Sequence, residues 1–474
     1  MNSPKKNFVY NILYQILVLI IPLITAPYIA RVIGAEGTGI RSYTYSIAYY
    51  FMLVTKLGVN NYGNRSIAKV RDDKQSLSVT FWSIYSFQLI MGIAMLFAYL
   101  LYVFLFDDKF RVISLIQSFY IISAALDITW FFFGLEDFKK TIAISTVVRV
   151  INAVLIFLFV KTRTDLWKYA LIMSGMTCLS QLVLWEFVRN KISFVKVTKE
   201  DIVKHIKPNF ILFIPVIAVS LYKIMDKIML GALTAISEVG FYENAERVID
   251  IPLCAITALG TVMLPRMSNI IAKGKTEQVK EYISKSTEFI MFLSYAMALG
   301  LMAVGYKFAP LFFGKEFQKT GLLIILLSST LPFISFANVL RTQYLIPNEQ
   351  DKPYIKSIFL GAIVNLIVNF ILIPKYQSIG ACYGTIAAEI SVMLYQSYIV
   401  GKALPVKKYF LCSLKYLLKA CVMFICVYPL NYLDMNDLVR LIAQMALGGI
   451  IYGLLNFRYI FGMINIKKQE KQGE

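Results

Sequence analysis

Fourteen mostly apolar runs, each about 20 residues long or more, follow one another along the chain. They lie near 8–33, 39–59, 79–106, 112–134, 141–160, 166–188, 208–231, 241–264, 286–306, 321–340, 355–373, 380–401, 413–430 and 438–459. A hydrocarbon core about 30 Å thick is crossed by roughly 20 residues of helix. In hydrocarbon, each backbone N–H and C=O needs a partner within the protein, and a single segment provides that only as a helix. The runs therefore predict an all-α integral membrane protein of about 14 transmembrane helices, with no stretch left for a soluble domain. Composition agrees, since 58% of the 474 residues are hydrophobic and 16% charged, where soluble domains carry about 25% charged residues.

A net charge of +20 is compatible with nucleic acid or with a membrane surface, and its distribution decides between them. With the N-terminus placed inside, the short segments on that side of the membrane hold 30 Lys and Arg, and those on the other side hold 8. That is the positive-inside asymmetry, which expects both termini in the cytoplasm of a multi-pass protein. The basic charge orients the chain and attracts anionic headgroups, so no nucleic-acid partner is needed. Lys5-Lys6 before an apolar run imitates a secretory signal. The run is too long and Ala26-Pro27 is a poor cleavage site, so the first helix is expected to be retained.

Six cysteines fall inside the runs or at their edge with no Cys-x-x-Cys pair, and His205 is the single histidine. They read as packing residues, and no metal site is expected. There is no Gly-x-x-x-x-Gly-Lys loop, so ATP hydrolysis by that machinery is excluded. No cofactor is expected. Uphill work would draw on a proton or sodium gradient, the membrane potential or consumption of product.

The stretch from Asp226 to Lys273 recurs from about Arg31 to Lys69. One register fits both copies, because 26 residues separate Gly39 from Arg65 and Gly240 from Arg266. Six helices, an even number, separate the copies, so each enters the membrane in the same direction. This predicts two pseudo-symmetric six-helix lobes, 1–190 and 191–402, related by an axis along the membrane normal with the substrate path between them. Two further helices and a cytoplasmic tail occupy 403–474; those helices are expected to face lipid or a hydrophobic tail.

Charged residues inside spanning helices are rare and mark wet interiors. Here the basic ones are Arg31, Arg41, Lys56, Arg149, Lys223, Lys227 and Arg247, and the acidic ones Asp127, Asp226, Glu243, Glu246, Asp250 and Glu389. At ~1.5 Å per residue, Arg149 and Glu389 lie roughly 12–14 Å deep, which predicts a hydrated central cavity. The spacing of Lys223, Asp226 and Lys227 puts all three on one face, a geometry that Glu243, Glu246, Arg247 and Asp250 repeat. Two readings stand together: mutual neutralisation that locks helices, and contacts to an anionic substrate. Arg149 has no acidic neighbour in its own helix and is the best single candidate for holding phosphate, which the planar guanidinium grips with paired bonds. Asn365 and Asn369 put two amides on one side of a helix, as interhelical glue or as donors to sugar hydroxyls.

Asp127 and Arg341 stand near the cytoplasmic ends of their helices and read as gating positions. The aromatic run Trp130 to Phe133 reads first as an interfacial belt. Pro22, Pro27, Pro215 and Pro252 lie inside helices that can therefore bend.

Tyr28-Ile-Ala-Arg31-Val-Ile-Gly34-Ala35-Glu36-Gly37, Asp127-x-x-Trp130-Phe-Phe with Gly134-x-Glu136-Asp137-Phe138, and Asp226-Lys-x-Met-Leu-Gly231 come in order along the chain. Glu238-Val-Gly240-Phe-Tyr242-Glu-Asn-Ala245 and Arg341-Thr-Gln-Tyr-Leu-Ile-Pro347 complete the set. Together, across essentially the whole chain, they resemble the Wzx-type flippases of bacterial polysaccharide biosynthesis, within the multidrug/oligosaccharidyl-lipid/polysaccharide exporter superfamily. The resemblance implies a non-enzymatic carrier in the bacterial plasma membrane. It would move undecaprenyl-pyrophosphate-linked oligosaccharide units from the inner to the outer leaflet through a cationic cavity. The partners it implies are the lipid-linked oligosaccharide, membrane lipids, and the polymerase and assembly proteins of capsule, exopolysaccharide or O-antigen synthesis. Two other functions are weighed beside it. A multidrug or cation antiporter of the same superfamily fits poorly with a basic interior, and a membrane polysaccharide polymerase would need a catalytic loop that the chain lacks.

Overall fold

The computed structural model describes residues 4–462, with side chains from Ile21 onward except those of Phe138 and Tyr222. The side chains of Lys5 and Lys6 and the tail 463–474 lie outside the described residues. All regular structure among the described residues is helical. The helices are α1 (Pro4–Lys56), α2 (Val59–Val70), α3 (Lys74–Phe106), α4 (Arg111–Leu126), α5 (Thr129–Gly134), α6 (Phe138–Phe159), α7 (Leu166–Glu186), α8 (Lys199–Val203) and α9 (Ile206–Leu233). They continue as α10 (Ile236–Ala272), α11 (Thr276–Phe313), α12 (Gln318–Ser328), α13 (Leu331–Leu340), α14 (Asp351–Tyr376), α15 (Ser378–Val400), α16 (Val406–Val427) and α17 (Asp437–Leu455).

By length and composition, 11 helices among the described residues can cross a membrane. The three expected spans outside that set are helical as well: 8–33 and 39–59 share α1, and 166–188 corresponds to α7. The chain is a multi-pass integral membrane protein.

Several boundaries differ from the expected ones, each for a local reason. The turn expected at 34–38 shrinks to one residue, because Gly34 adopts φ 72° and ψ −178° and helix resumes at once. Only glycine enters that region without strain. The connection between the second and third runs carries α2, an amphipathic helix that buries Val59, Gly63 and Ile67. The span 112–134 breaks at Asp127 and Ile128, and 321–340 breaks at Ser329 and Thr330. After α13 the motif beginning at Arg341 forms one wide turn in which the Ile346 N–H donates to the Arg341 carbonyl at 3.0 Å, five residues back.

The starts of α3, α8 and α17 are each capped by a side chain. The Asp73 carboxylate accepts from the Gln75 and Ser76 amides (3.3 and 2.9 Å), which starts α3. Thr198 and Asp201 bond reciprocally at the start of α8, a capping box. The expected prolines lie within α1, α9 and α10, joined by Pro265. Cys178 and Cys382 are buried as expected of packing residues, whereas Cys254, Cys412 and Cys426 are exposed.

The chain forms two compact units, Met1–Gly240 and Phe241–Glu474. In the first, α1 packs on α3, α4, α6 and α9, and α4 packs on α7. In the second, α14 and α15 form a hairpin, and α11 packs on α12, α13, α16 and α17. The last two helices thus bury one face on α11, including Tyr416, Ala420 and Tyr452. They leave Leu418, Ile425, Ile442 and Met445 exposed, as suits contact with lipid.

Candidate functional site

In the first unit, two charges of α1, Arg41 and Lys56, lie in separate places. Arg41, about two helical turns beyond Gly34, is 8% exposed. Its guanidinium lies 4.9 Å from the centre of the Tyr45 ring and 5.7 Å from that of Tyr169 on α7. Aromatic faces hold a desolvated cation in this way. Tyr45 meets Tyr120 edge-on at 5.0 Å and lies within electrostatic reach of Lys227. Tyr50 donates to the Ser220 carbonyl at 3.3 Å and lies within reach of Asp226. Lys227 of α9 thus lies near Tyr45, which also flanks Arg41, and Asp226 lies near Tyr50 further along α1. Asp226 is 2% exposed, Lys227 is half-buried and Lys223 is exposed. Arg31 is exposed and Arg149 half-buried.

The second place is the end of α1. Lys56 forms an ion pair with Asp127, whose side chain is 6% exposed. The same carboxylate starts α5 by accepting from the Thr129 N–H (2.8 Å) and hydroxyl (2.6 Å). Gln88 of α3 repairs the backbone that the break exposes. Its Nε2 donates to the Ala124 and Asp127 carbonyls (2.7 and 2.8 Å), and its Oε1 accepts from Trp130 Nε1 at 3.0 Å. The belt reading of Trp130 to Phe133 is overturned, because Trp130, Phe131 and Phe132 are at most 1% exposed and only Phe133 reaches the surface. They pack with Phe81, Tyr85 and Leu184 in one core. A ring so enclosed anchors the break rather than the bilayer interface.

His205 lies beside this core, joining the Tyr62 hydroxyl (2.8 Å) and Ser83 Oγ (3.0 Å). Outside the membrane segments, the Asp165 carboxyl is held well below the usual range, first by Lys168 and then by the Lys161 and Thr162 amides.

In the second unit, Arg247 donates to Glu243 Oε1 from Nε (3.2 Å) and Nη2 (3.0 Å), so part of the α10 charge is neutralised internally. Asn369 donates to Asn365 Oδ1 at 3.0 Å. The two amides are buried and engage each other, while the Asn369 side chain lies against Gly384 of α15. Glu389 is buried on α15, one turn beyond Thr385, whose hydroxyl pairs with Tyr242 of α10 at 2.8 Å. Arg341 is half-buried, 5.7 Å from the centre of the Tyr354 ring.

Sequence reasoning found the charges but not Tyr45, Tyr169, Gln88 or Gln117, which donates to Thr44 Oγ1 at 3.1 Å. The two glutamines could have been found by the signal used for Asn365 and Asn369, an amide inside an apolar span.

The chain is similar to a putative O-antigen transporter of Escherichia coli (strain K12), 23% identical over 398 residues that cover 82% of this chain and 95% of the relative. It is similar to the capsular polysaccharide biosynthesis protein CapF of Staphylococcus aureus at 23% identity, covering 82% and 98%. Among solved structures it resembles lipid II flippase MurJ in an inward closed conformation, with a TM-score of 0.77, 17% identity, and coverage of 96% of this chain and 99% of that one. An inward-facing MATE family multidrug transporter matches with a TM-score of 0.62 and 13% identity, covering 82% and 99%. These two likenesses concern the fold. Residues 5–271, more than half of the chain, match the model of one family, and the chain belongs to it: the polysaccharide biosynthesis protein family.

Proposed function

We propose that the protein is a flippase that carries undecaprenyl-pyrophosphate-linked oligosaccharide units from the cytoplasmic to the outer leaflet of the bacterial plasma membrane. The observation that carries this reading is the set of ionisable side chains buried in membrane helices, Arg41, Asp226, Glu243 and Glu389, in a chain of a polysaccharide biosynthesis family. Such groups are costly in lipid and are kept where a polar cargo passes. The names of the O-antigen, capsular and lipid II relatives point the same way. In this reading, lobes 1–190 and 191–402 alternate access around a cationic cavity, and 403–474 stands outside the cycle. Arg31, Arg41, Arg149, Lys223, Lys227 and Arg247 face the pyrophosphate, and Asn365 and Asn369 the sugars. Asp226 and Glu389 reset the charge, while Asp127 and Arg341 act at the cytoplasmic gate. Coupling to a proton or sodium gradient and contact with polymerase and assembly proteins belong to the same proposal.

Purified protein in liposomes loaded with pyrophosphate-linked oligosaccharide is expected to expose the glycan to an external glycosidase. Efflux of an organic cation without glycan movement would establish the antiporter instead. Arg149→Lys is expected to keep part of the activity and Arg149→Ala to lose it at unchanged expression, because lysine offers a point charge in place of a fork. Restoration of the Ala variant by also neutralising an acid such as Glu389 would make Arg149 scaffold. Both termini are proposed to be cytoplasmic. Cysteines placed at Glu200 and Glu470, in a background without the six native ones, should resist an impermeant reagent added to intact cells.

A further inference from the structure

We infer that the turn joining α10 to α11 is a binding site for a phosphate group at membrane headgroup depth. A concavity of about 330 Å³ opens there, lined by Arg266, Asn269, Lys273, Lys275, Gln278 and Tyr282. No acidic side chain lines it. The neighbouring acids of α11 are engaged elsewhere, Glu277 by Lys280 at 2.7 Å and Glu281 by Lys285 at 2.6 Å. Among the described residues, Arg266, Lys273 and Lys275 take part in no ion pair. Arg266 is nevertheless held in place, since it donates to the Tyr282 hydroxyl with its guanidinium 4.4 Å from the centre of that ring. The turn itself is fixed by Gly274 at φ 68°, a left-handed position, and by the Lys275 N–H donating to the Ile270 carbonyl at 3.3 Å.

The repeat supplies the contrast. The matching turn between α2 and α3 does have acidic partners: Arg71 pairs with Glu136, just after α5, at 2.8 Å, and Asp73 caps α3. At the corresponding start of α11, the capping position is Lys275 and no side chain caps the helix. A lysine placed at the positive end of a 38-residue helix, beside two more cations, is unfavourable on its own, because free N–H groups and the helix dipole already concentrate positive potential there. An anion reverses the sign of every one of these terms. Positive-inside bias accounts for cations near the membrane but not for replacing a capping acid by lysine. The two helices that meet at the turn are both long and apolar enough to span, and Val262, one turn before Arg266 on α10, is 72% exposed. The phosphate therefore arrives with acyl or prenyl chains alongside. Two sources share this chemistry, an anionic phospholipid of the bilayer and a polyprenyl phosphate.

The test is native mass spectrometry of delipidated full-length protein given phosphatidylglycerol, phosphatidylcholine or a polyprenyl phosphate in turn. The comparison is with a combined Arg266→Gln, Lys273→Gln and Lys275→Gln variant, all three positions being exposed and so compatible with an unchanged melting temperature. At ~1 kcal/mol per cation near a membrane surface, retention of the phosphate lipid should fall at least about ten-fold in the variant, with phosphatidylcholine unaffected. Loss confined to phosphatidylglycerol assigns the site to bilayer lipid, and loss confined to the polyprenyl phosphate assigns it to the carrier lipid. Equal retention of both anionic lipids by parent and variant overturns the inference. It does not depend on the transport reading, since a failed flipping assay would leave lipid retention unchanged.

Discussion

Gly240→Val is expected to be among the most damaging single substitutions in the chain, lowering stability by about 3 kcal/mol or more, the upper end for overpacking. Gly39 and Gly240 meet across the contact between the middle of α1 and the start of α10. A Cβ on Gly39 would fall on the Ile236 carbonyl oxygen, and one on Gly240 on the Ala35 carbonyl oxygen. Both obstacles are helix backbone, so neither can swing aside as a side chain would. Close approach through small residues is a common way for membrane helices to bind one another when lipid offers no hydrophobic drive. Gly39→Val should match Gly240→Val, while Gly300→Ala and Gly449→Ala, with nothing within 4 Å, should be neutral or slightly stabilising as better helix formers. Melting temperature in detergent reads the series. A Gly240→Val protein that melts with the parent would mean the helices do not approach this closely.

Removing the Asp127 charge comes second. Asp127→Asn keeps a capping oxygen for α5 but strips Lys56 of its partner in a place where the lysine is 27% and the aspartate 6% exposed. Breaking a buried pair by losing one member costs about 3–5 kcal/mol, and the partial exposure of Lys56 puts the expected loss near the lower figure. Asp127→Ala should lose about 1 kcal/mol more with the cap. Combining Asp127→Asn with Lys56→Met should recover most of the stability, because no uncompensated charge is left. Strict additivity in that double-mutant cycle would show that the two residues do not act as a pair.

The sequence by itself determined the class of the fold, because helix hydrogen bonds run from one residue to another four away, and a bilayer forces every segment to close its own bonds. A window of about 20 residues therefore contains all the information that says α1, α11 or α14 is a helix. The same locality made Pro22 and Pro215 legible as positions within helices, and the matched spacing of Gly39 and Gly240 legible as a repeat. It also flagged Arg41 and Asp127, since a charge in an apolar run is conspicuous wherever it points.

Partners were not legible. Lys56 and Asp127 are 71 residues apart in sequence, and Gly39 touches Gly240 from the other copy of the repeat. No window holds both members of either contact. Tyrosines inside a span suit an interface as well as a core, so nothing local marked Tyr45 and Tyr169 as the faces that hold Arg41. Trp130 was misread as a belt residue for that reason, its burial depending on Phe81 of α3 and on Gly63 of α2, which leaves room for the indole. Side chains are placed by the packing of helices that lie far apart in the chain, and only the tertiary structure decides which of them meet.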